Sequence, residues 1–151
     1  MPASFPLSID ERTELKSRYK YVQSEVQDGW STYLGRWTWN YFITVTFREA
    51  RLPHKADRTL RSIAGVIKQH SDGNLFLGTE LHLNRTLHVH GLFSPKGSTD
   101  DIQKHTADQV WGDLYDKFGR SQVRKVRENQ AVSDYVSKYV TKGLTEWFMS
   151  T

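Results

Sequence analysis

The sequence contains no cysteine among its 151 residues. This absence excludes disulfide bridges and thiolate metal sites, so any bound metal must be held by histidine, aspartate or glutamate. It also fits a reducing compartment. Long apolar runs are missing too, since none approaches the ~20 residues of a membrane-spanning helix. The first residues lack the charged-then-apolar order of a secretory signal. These absences predict a soluble, intracellular protein.

The length and charge of the chain limit the number of domains and the kinds of partner that we expect. We expect a single domain over residues 1–151, because this length supports one compact core but is short for two ordinary domains. Lysine and arginine exceed aspartate and glutamate by 21 to 17. Such a mild basic excess permits a polyanionic partner without identifying one.

Apolar periodicity and capping signals divide the chain into helices and strands. We predict helices at about 9–27, 53–70, 99–118 and 129–142. We predict strands at about 37–47, 74–82, 86–94 and 120–128, the middle two forming a hairpin. The order α-β-α-β-β-α-β-α is typical of an α+β fold of ferredoxin-like or RRM-like type, with a central antiparallel sheet and helices on one face.

Two histidines, His88 and His90, lie one residue apart in an otherwise apolar strand, TLHVHGLF. Alternate side chains of a strand point to the same face, so both imidazoles project from one side of the sheet. Such a pair is either partly buried and hydrogen-bonded or a set of metal ligands, and the motif by itself does not distinguish the two.

The preceding strand supplies two more candidate ligands, Glu80 and His82. If the hairpin loop comprises residues 84–86, His82 lies opposite His88 and Glu80 lies opposite His90, all on one face. A two-residue loop instead shifts the register by one and turns Glu80 away. The three-residue loop predicts a site of imidazoles and a carboxylate that binds one Mn²⁺ or Mg²⁺ beside a substrate, with zinc chemically possible.

The last predicted helix carries two tyrosines, Tyr135 and Tyr139, and two lysines, Lys138 and Lys142. At about 100° per residue, a stripe of three valines should face the sheet, and the tyrosines lie on the adjacent stripe. We therefore expect their rings at the boundary of the core and their hydroxyls in solvent. Alternatively, the tyrosines complete a core edge and the lysines form a solvated face.

Three segments in order, FITVTF, HVHGLF and YVSKYVTK, resemble the three motifs of the HUH endonucleases, in which U is a bulky hydrophobic residue. The two tyrosines around a lysine are more narrowly similar to the rolling-circle replication initiators, or Rep nucleases, of small single-stranded DNA phages and related plasmids. The resemblance covers roughly residues 37–143, and residues 1–36 form an N-terminal helical extension outside it.

This resemblance implies two histidine ligands on a central strand, a third polar ligand on the preceding strand, and a helix that brings tyrosine to the metal. Glu80, eight residues before His88, occupies the place of the third ligand, and His82 is the alternative. The implied activity is metal-dependent, sequence-specific nicking and joining of single-stranded DNA. It would initiate rolling-circle replication through a covalent 5′-phosphotyrosine.

The two tyrosines have separate expected roles. A tyrosine hydroxyl has a pKa near 10 and is a poor nucleophile, so a divalent ion that polarises the scissile phosphate is expected to assist it. Tyr135 precedes Lys138 by three residues, as the nucleophile does in single-tyrosine relatives, and Tyr139 and Lys142 repeat the spacing. We therefore expect Tyr135 to cleave first, Tyr139 to perform a second transfer, and the lysines to stabilise phosphate or phenolate charge.

The resemblance also implies partners and a location. We expect single-stranded origin DNA, a helicase and the host replication machinery as partners, a monomeric state, and the cytoplasm, which is the host cell's if a phage or plasmid encodes the protein. The helicase domain usual in the family has no counterpart here. The chain is either a nuclease domain of a larger initiator or a small stand-alone protein.

Basic and aromatic residues near the motifs are candidates for holding the strand. The candidates for phosphate contacts are Arg120, Arg124, Lys125 and Arg127. The aromatic residues that either stack bases or belong to the core are Trp37, Trp39 and Tyr41.

Two other functions remain open. A single-stranded-DNA transposase of the same superfamily typically uses one tyrosine and works as a dimer that exchanges helices, so the second tyrosine argues against it. A nucleic-acid-binding module with a ferredoxin-like sheet needs neither metal nor nucleophile.

Overall fold

The computed structural model describes residues 8–82, 84, 86–139 and 144–151, excluding the side chains of residues 19–23, 144 and 145. Four helices and five strands form in this part of the chain, and a short 3₁₀ turn at Pro53–Lys55 leads into the second helix. The helices are α1 Ile9–Leu34, α2 Ala56–Lys68, α3 Asp100–Phe118 and α4 Glu128–Lys138. The strands are β1 Tyr41–Val45, β2 Asn74–Leu81, β3 Leu87–Ser94, β4 Ser121–Lys125 and β5 Leu144–Ser150. No helix in these ranges is long and apolar enough to cross a membrane.

The five strands form one antiparallel sheet in the order β4-β1-β3-β2-β5. Strands β1 to β4 and the helices between them have the ferredoxin-like connectivity, so the predicted α+β class is confirmed. Strand β5, which pairs with the outer edge of β2, was not predicted. Apolar and polar residues alternate poorly in its sequence, LTEWFMS. It forms a strand because it pairs with β2, which is distant in the chain.

Helices cover both faces of the sheet, so the expectation of helices on one face is wrong. In β1 to β4, odd-numbered residues, such as Ile43 and Val89, pack against α2 and α3. Even-numbered residues, such as Phe42, Phe76 and Leu92, pack against α1 and α4. The second face also carries the paired histidines of β3, and we call it the histidine face.

Helix α1 begins as the sequence predicts and ends later. The Ser8 side chain accepts from the Glu11 amide and the Glu11 carboxylate accepts from the Ser8 amide, which confirms the capping box. The helix then passes through Gly29 to Leu34, beyond the predicted end at residue 27. Leu34 is fully buried on the histidine face. This burial offsets the roughly 1 kcal/mol that glycine costs inside a helix.

Helix α3 is closed by Gly119, the one residue with a left-handed φ, 131°, among those described. A methyl group there would stand 2.5 Å from the Arg48 amide nitrogen and 2.8 Å from the Thr46 carbonyl oxygen. These two residues belong to the segment that leaves β1, and their backbone amides bond to Phe118 and Arg120 across the turn. The glycine therefore allows α3 to return directly into the edge strand β4.

We expect Gly119→Ala to lower the free energy of unfolding by about 1–3 kcal/mol or more, because it adds backbone strain to a steric clash. Urea denaturation monitored by circular dichroism measures the change. Gly112→Ala is the matched control, because Gly112 lies inside α3 and a methyl group there would meet no atom of another segment within 4 Å. There alanine should stabilise the helix by up to about 1 kcal/mol. Equal effects of the two substitutions would contradict this account of Gly119.

Candidate metal centre and tyrosine site

The β2–β3 hairpin places the candidate ligands, but in a different register from the predicted one. Glu80 pairs with His88, and Gly78 pairs with His90, so the strands are offset by two residues from the predicted pairing of Glu80 with His90. An offset of two preserves the alternation of side chains. Glu80 therefore stays on the histidine face, although the residue-by-residue register was wrong.

The offset arises because the connection is centred on residue 84, one residue earlier than the centre of the predicted loop of residues 84–86. Residues 82–86 join the strands, and the His82 amide donates to the Thr86 carbonyl at 3.0 Å. The Asn84 side-chain oxygen accepts from the Thr86 amide at 3.2 Å and from its hydroxyl at 2.6 Å. Asparagine favours this kind of side-chain turn, which stabilises the connection around residue 84.

Three potential ligand atoms converge beside this hairpin. Glu80 Oε2 lies 2.7 Å from His90 Nε2, and Glu80 Oε1 lies 3.8 Å from His82 Nε2. One donor atom from each of the three side chains lies within 4.8 Å of the others. Ligand atoms around an ion bound at about 2.0–2.2 Å are roughly 3–4.4 Å apart, so small side-chain rotations would complete a site.

The state of the imidazoles also suits a metal. The Nε2 atoms of His82 and His90 are buried and have no aligned hydrogen-bond partner in the described structure, although the Glu80 carboxylate is close to both. Burial lowers the pKa of His90 to about 4, against the opposing effect of Glu80. His90 is therefore neutral at pH 7, which is the form that binds a metal.

His88 is the predicted ligand that does not belong to this convergent group. Its ring stacks on the ring of His82, with the centroids 3.6 Å apart and the planes 19° from parallel. Burial, together with the neighbouring His82, lowers the pKa of His88 against the opposing effect of Glu80. The structure thus groups Glu80, His82 and His90, with the predicted alternative His82 in the set and His88 behind it.

Thr44 on β1 contributes a contact that sequence reasoning missed. It pairs with His90 across the sheet, and its hydroxyl lies 3.5 Å from His90 Nδ1. Metal ligation through Nε2 requires the ring proton to be on Nδ1. The Thr44 hydroxyl is placed to accept a hydrogen bond from that N–H. The available signal was alternation in FITVTF, which puts Phe42 and Thr44 on the face opposite Ile43.

Tyr139 lies directly over this group of ligands. Its ring stacks on the ring of His90, with a centroid distance of 3.9 Å and an angle of 13°. Helix α4 ends at Lys138, so Tyr139 caps the helix and its amide donates to the Tyr135 carbonyl at 2.9 Å. The side chain is partly exposed. The structure therefore brings a partly exposed tyrosine ring to the proposed metal site.

Tyr135 does not reach solvent, which contradicts the expected outward hydroxyl. The residue is 0% exposed, its ring packs edge-on against Phe76 at 5.5 Å, and its hydroxyl donates to the His90 carbonyl at 3.2 Å. Burial, with the nearby Tyr139 and Glu80, raises its pKa above the usual value of tyrosine. The buried stripe of α4 contains Ala131, Tyr135 and Val136. Of the three predicted valines, Val136 is buried, Val132 is partly buried against the same cluster, and Val140 lies outside the described residues.

Of the two candidate lysines, the structure describes Lys138. Lys138 is exposed at the last residue of α4. Lys142 lies outside the described residues, as does the predicted extension of the helix to it. Within the described part of the chain, Lys138 forms no ion pair with the candidate ligands, so its expected role stays a prediction.

The predicted phosphate contacts are divided between the two faces of the sheet. Arg124 pairs with Phe42 on the histidine face, and its guanidinium lies 5.7 Å from the centre of the Phe42 ring. Lys125 points to the other face, where it forms an ion pair with Asp100 at 3.3 Å. Arg120 and Arg127 are exposed at the two ends of β4. Lys125 is therefore poorly placed to act with the others.

Two of the three candidate stacking aromatics belong to the core. Trp39 is 1% exposed and its indole N–H donates to the Leu34 carbonyl at 2.8 Å, so of the two alternatives, base stacking or core, it belongs to the core. Tyr41 is 3% exposed and packs on the face opposite the histidines. Trp37 is half-buried, with its ring edge-on to Tyr33 at 5.2 Å, and retains some accessible surface.

No protein-family model matches the sequence. No curated protein matches it either. Among solved structures, the chain is similar to the catalytic domain of the adeno-associated virus type 5 Rep protein, with a TM-score of 0.41 and 13% sequence identity. That match covers 75% of this chain and 86% of the viral domain.

Proposed function

We propose that the protein is an HUH-type endonuclease that nicks and rejoins single-stranded DNA through a covalent phosphotyrosine. The observation that carries the proposal is that one histidine contacts both the other candidate metal ligands and a tyrosine ring. His90 belongs to the Glu80, His82 and His90 group and also stacks beneath Tyr139. A group of potential metal ligands and a partly exposed tyrosine are thus in contact, so that one scissile phosphate could reach both.

In the proposed reaction, a bound metal ion assists and Tyr139 is the nucleophile. A bound Mn²⁺ or Mg²⁺ would polarise a non-bridging phosphate oxygen. Tyr139 Oη attacks phosphorus, and the bond from phosphorus to the 3′ oxygen breaks. The phenol proton passes to solvent and the departing 3′ oxygen takes one up, which leaves a 5′-phosphotyrosine and a free 3′-hydroxyl. Rejoining reverses these bond changes, because the phosphotyrosine retains the energy of the original diester.

Tyr135 has a different role in this proposal from the one predicted. Its buried hydroxyl holds the backbone of β3 at His90 and has no path to a phosphate. Tyr139 therefore becomes the first nucleophile. A second transfer by Tyr135 would require α4 to shift and the hydroxyl to leave the His90 carbonyl.

Initiation of rolling-circle replication at a specific origin is the proposed biological use of this reaction. The free 3′-hydroxyl is the end that a polymerase can extend, with a helicase and host replication proteins as the proposed partners. We further propose that residues 1–151 act as one domain and as a monomer in the cytoplasm, with Lys138 and Lys142 near the phosphate and Arg120, Arg124 and Arg127 along the strand.

A transposase of the same superfamily is the second candidate, and the burial of Tyr135 favours it over the two-tyrosine pattern. One accessible tyrosine is the usual number in those enzymes, which work as dimers that exchange helices. Sedimentation of the protein with and without DNA separates the two candidates. A stable dimer that is required for joining would support the transposase, and an active monomer would support the initiator.

The proposal as a whole is tested by adduct formation. We expect labelled single-stranded DNA, incubated with the protein and Mn²⁺, to form a complex that survives boiling in detergent and lies at Tyr139 by mass spectrometry. Excess chelator should abolish the adduct while leaving non-covalent binding, since contacts from arginine and lysine to phosphate need no metal. Adduct formation at an unchanged rate in chelator would contradict the role of the metal.

A further inference from the structure

A second basic group lies outside the residues assigned so far. The segment REARLPHKADR, which connects β1 to α2, contains four of the arginines and lysines of the chain within eleven residues, 48–58. Three of them, Arg51, Lys55 and Arg58, line one cavity of about 50 Å³. The remaining lining comes from Thr59, Ser62 and Phe118. We call these three cations and the two hydroxyl residues the Arg51 cluster.

The cations of this cluster lack an ion-pair partner among the described residues, although Glu49 lines a neighbouring cavity together with Arg51. Among the residues that the structure describes, Arg51, Lys55 and Arg58 form no ion pair, whereas Arg61, one turn further along α2, pairs with Asp57 at 3.0 Å. Like charges that share a cavity repel each other unless an anion joins them. The cluster therefore carries the positive charge of an anion site, whereas Arg61 beside it is paired with Asp57.

Arg51 also presents an unused donor. Its guanidinium lies 5.3 Å from the centre of the Phe47 ring, and its Nε atom is buried without a hydrogen-bond partner in the described structure. A buried donor without an acceptor is costly, so such groups are rare unless a ligand completes them. With Thr59 and Ser62 supplying hydroxyls, the cavity offers charge-assisted donors to a tetrahedral anion.

The backbone ties this cluster to the strand that carries the histidines. The Arg51 carbonyl accepts from the Leu87 amide at 2.9 Å, and Leu87 directly precedes His88 on β3. On the other side, Arg48 donates to the Tyr115 carbonyl at 3.0 Å and anchors the same connection to the end of α3. The Arg51 cluster is thus held firmly at the end of the sheet where the β2–β3 hairpin and its candidate ligands lie.

We propose that the Arg51 cluster binds one phosphate of a nucleic-acid strand, away from the scissile phosphate. The cavity, of about 50 Å³, is large enough to admit oxygens of one phosphate group. Bound there, a flanking phosphate fixes the direction in which the strand crosses the end of β3. The inference rests on the proposed function only for the identity of the strand as single-stranded DNA.

The test compares two arginines on the same helix. Arg58→Gln removes a cation of the cluster, and Arg61→Gln removes a paired, exposed cation outside it. Binding of a fluorescent single-stranded oligonucleotide is measured by anisotropy over a range of salt concentrations, in chelator. Arg58→Gln should weaken binding roughly tenfold at low salt and reduce the slope of log K against log salt by about 0.7, the value for one phosphate contact. Arg61→Gln should match the wild type.

The same experiment separates a strand phosphate from free phosphate. Inorganic phosphate is titrated into the wild type and the Arg58→Gln variant, with thermal stability as the readout. Weak, millimolar stabilisation of the wild type alone supports the proposal, because a strand adds further contacts. Phosphate binding as tight as that of the oligonucleotide would overturn it in favour of a free phosphate ligand. Equal salt slopes for the two variants, with both folded by circular dichroism, would also overturn it.

Failure of this inference can be distinguished from failure of the proposed function. The binding measurements use chelator and need no nicking, so they report the Arg51 cluster whether or not an adduct forms. A normal adduct with equal salt slopes in both variants would refute the cluster and leave the nuclease intact. A reduced slope in Arg58→Gln, together with no adduct under any metal, would refute the nuclease and leave the phosphate site.

Discussion

Tyr139→Phe is expected to abolish the covalent protein–DNA adduct, whereas Tyr135→Phe should retain adduct formation within about tenfold of the wild type. Phenylalanine preserves the stacking of the ring on His90 and removes only the attacking oxygen. Without that oxygen no phosphotyrosine can form at this position, so the loss should be complete within the detection limit. Quantitative gel analysis of labelled DNA, followed by peptide mass spectrometry, measures both variants.

Tyr135→Phe serves as the matched control because it removes a hydroxyl of the same kind, one helical turn away. The substitution deletes the hydrogen bond to the His90 carbonyl and should cost roughly 1 kcal/mol of stability. A small loss of activity would follow from looser positioning of β3. If Tyr135→Phe instead removes the adduct and Tyr139→Phe keeps it, the sequence prediction was right and α4 must rearrange when DNA binds.

Glu80→Gln is expected to reduce the affinity for Mn²⁺ by about 100-fold or more and to abolish nicking with it. The carboxylate is the one charged member of the candidate ligand set, and it contacts both His82 and His90. Glutamine retains its shape but supplies neither the negative charge nor two equivalent oxygens. Calorimetric titration of Mn²⁺ measures the affinity independently of DNA.

Asp113→Asn is the control for this substitution. Asp113 also contacts a histidine, His70, at 2.6 Å, but the pair lies between α2 and α3, away from the histidine face. Its removal should leave the Mn²⁺ affinity unchanged. Wild-type metal binding by Glu80→Gln would show that the carboxylate is not a ligand.

Single alanine variants of His82 and His88 then decide between two ligand sets. The structure groups His82 with Glu80 and His90, so His82→Ala should weaken Mn²⁺ binding more than His88→Ala. The family resemblance implies the opposite order, with both histidines of the HVH motif as ligands. With either ligand set, Glu80→Gln should weaken Mn²⁺ binding more than His82→Ala does, because an imidazole contributes no charge.

Much of the site could be predicted from the sequence because alternation along a strand is a local property. His88 and His90 had to share a face, and Glu80 joined them because an offset of two residues leaves that face unchanged. The order of helices and strands up to α4 followed in the same way from apolar periodicity and capping signals. These features depend on residues close together in the chain, so the sequence by itself determined them.

Only the tertiary structure decided which groups face one another and which reach solvent. The Asn84 turn set the register, and the packing of α4 against Phe76 put the hydroxyl of Tyr135 in the core while Tyr139 stayed accessible. Periodicity places both tyrosines on one stripe, but the depth of burial depends on the sheet beneath, which consists of distant segments. For the same reason, the strand β5 and the division of Arg124 and Lys125 between two faces became visible only once the sheet had assembled.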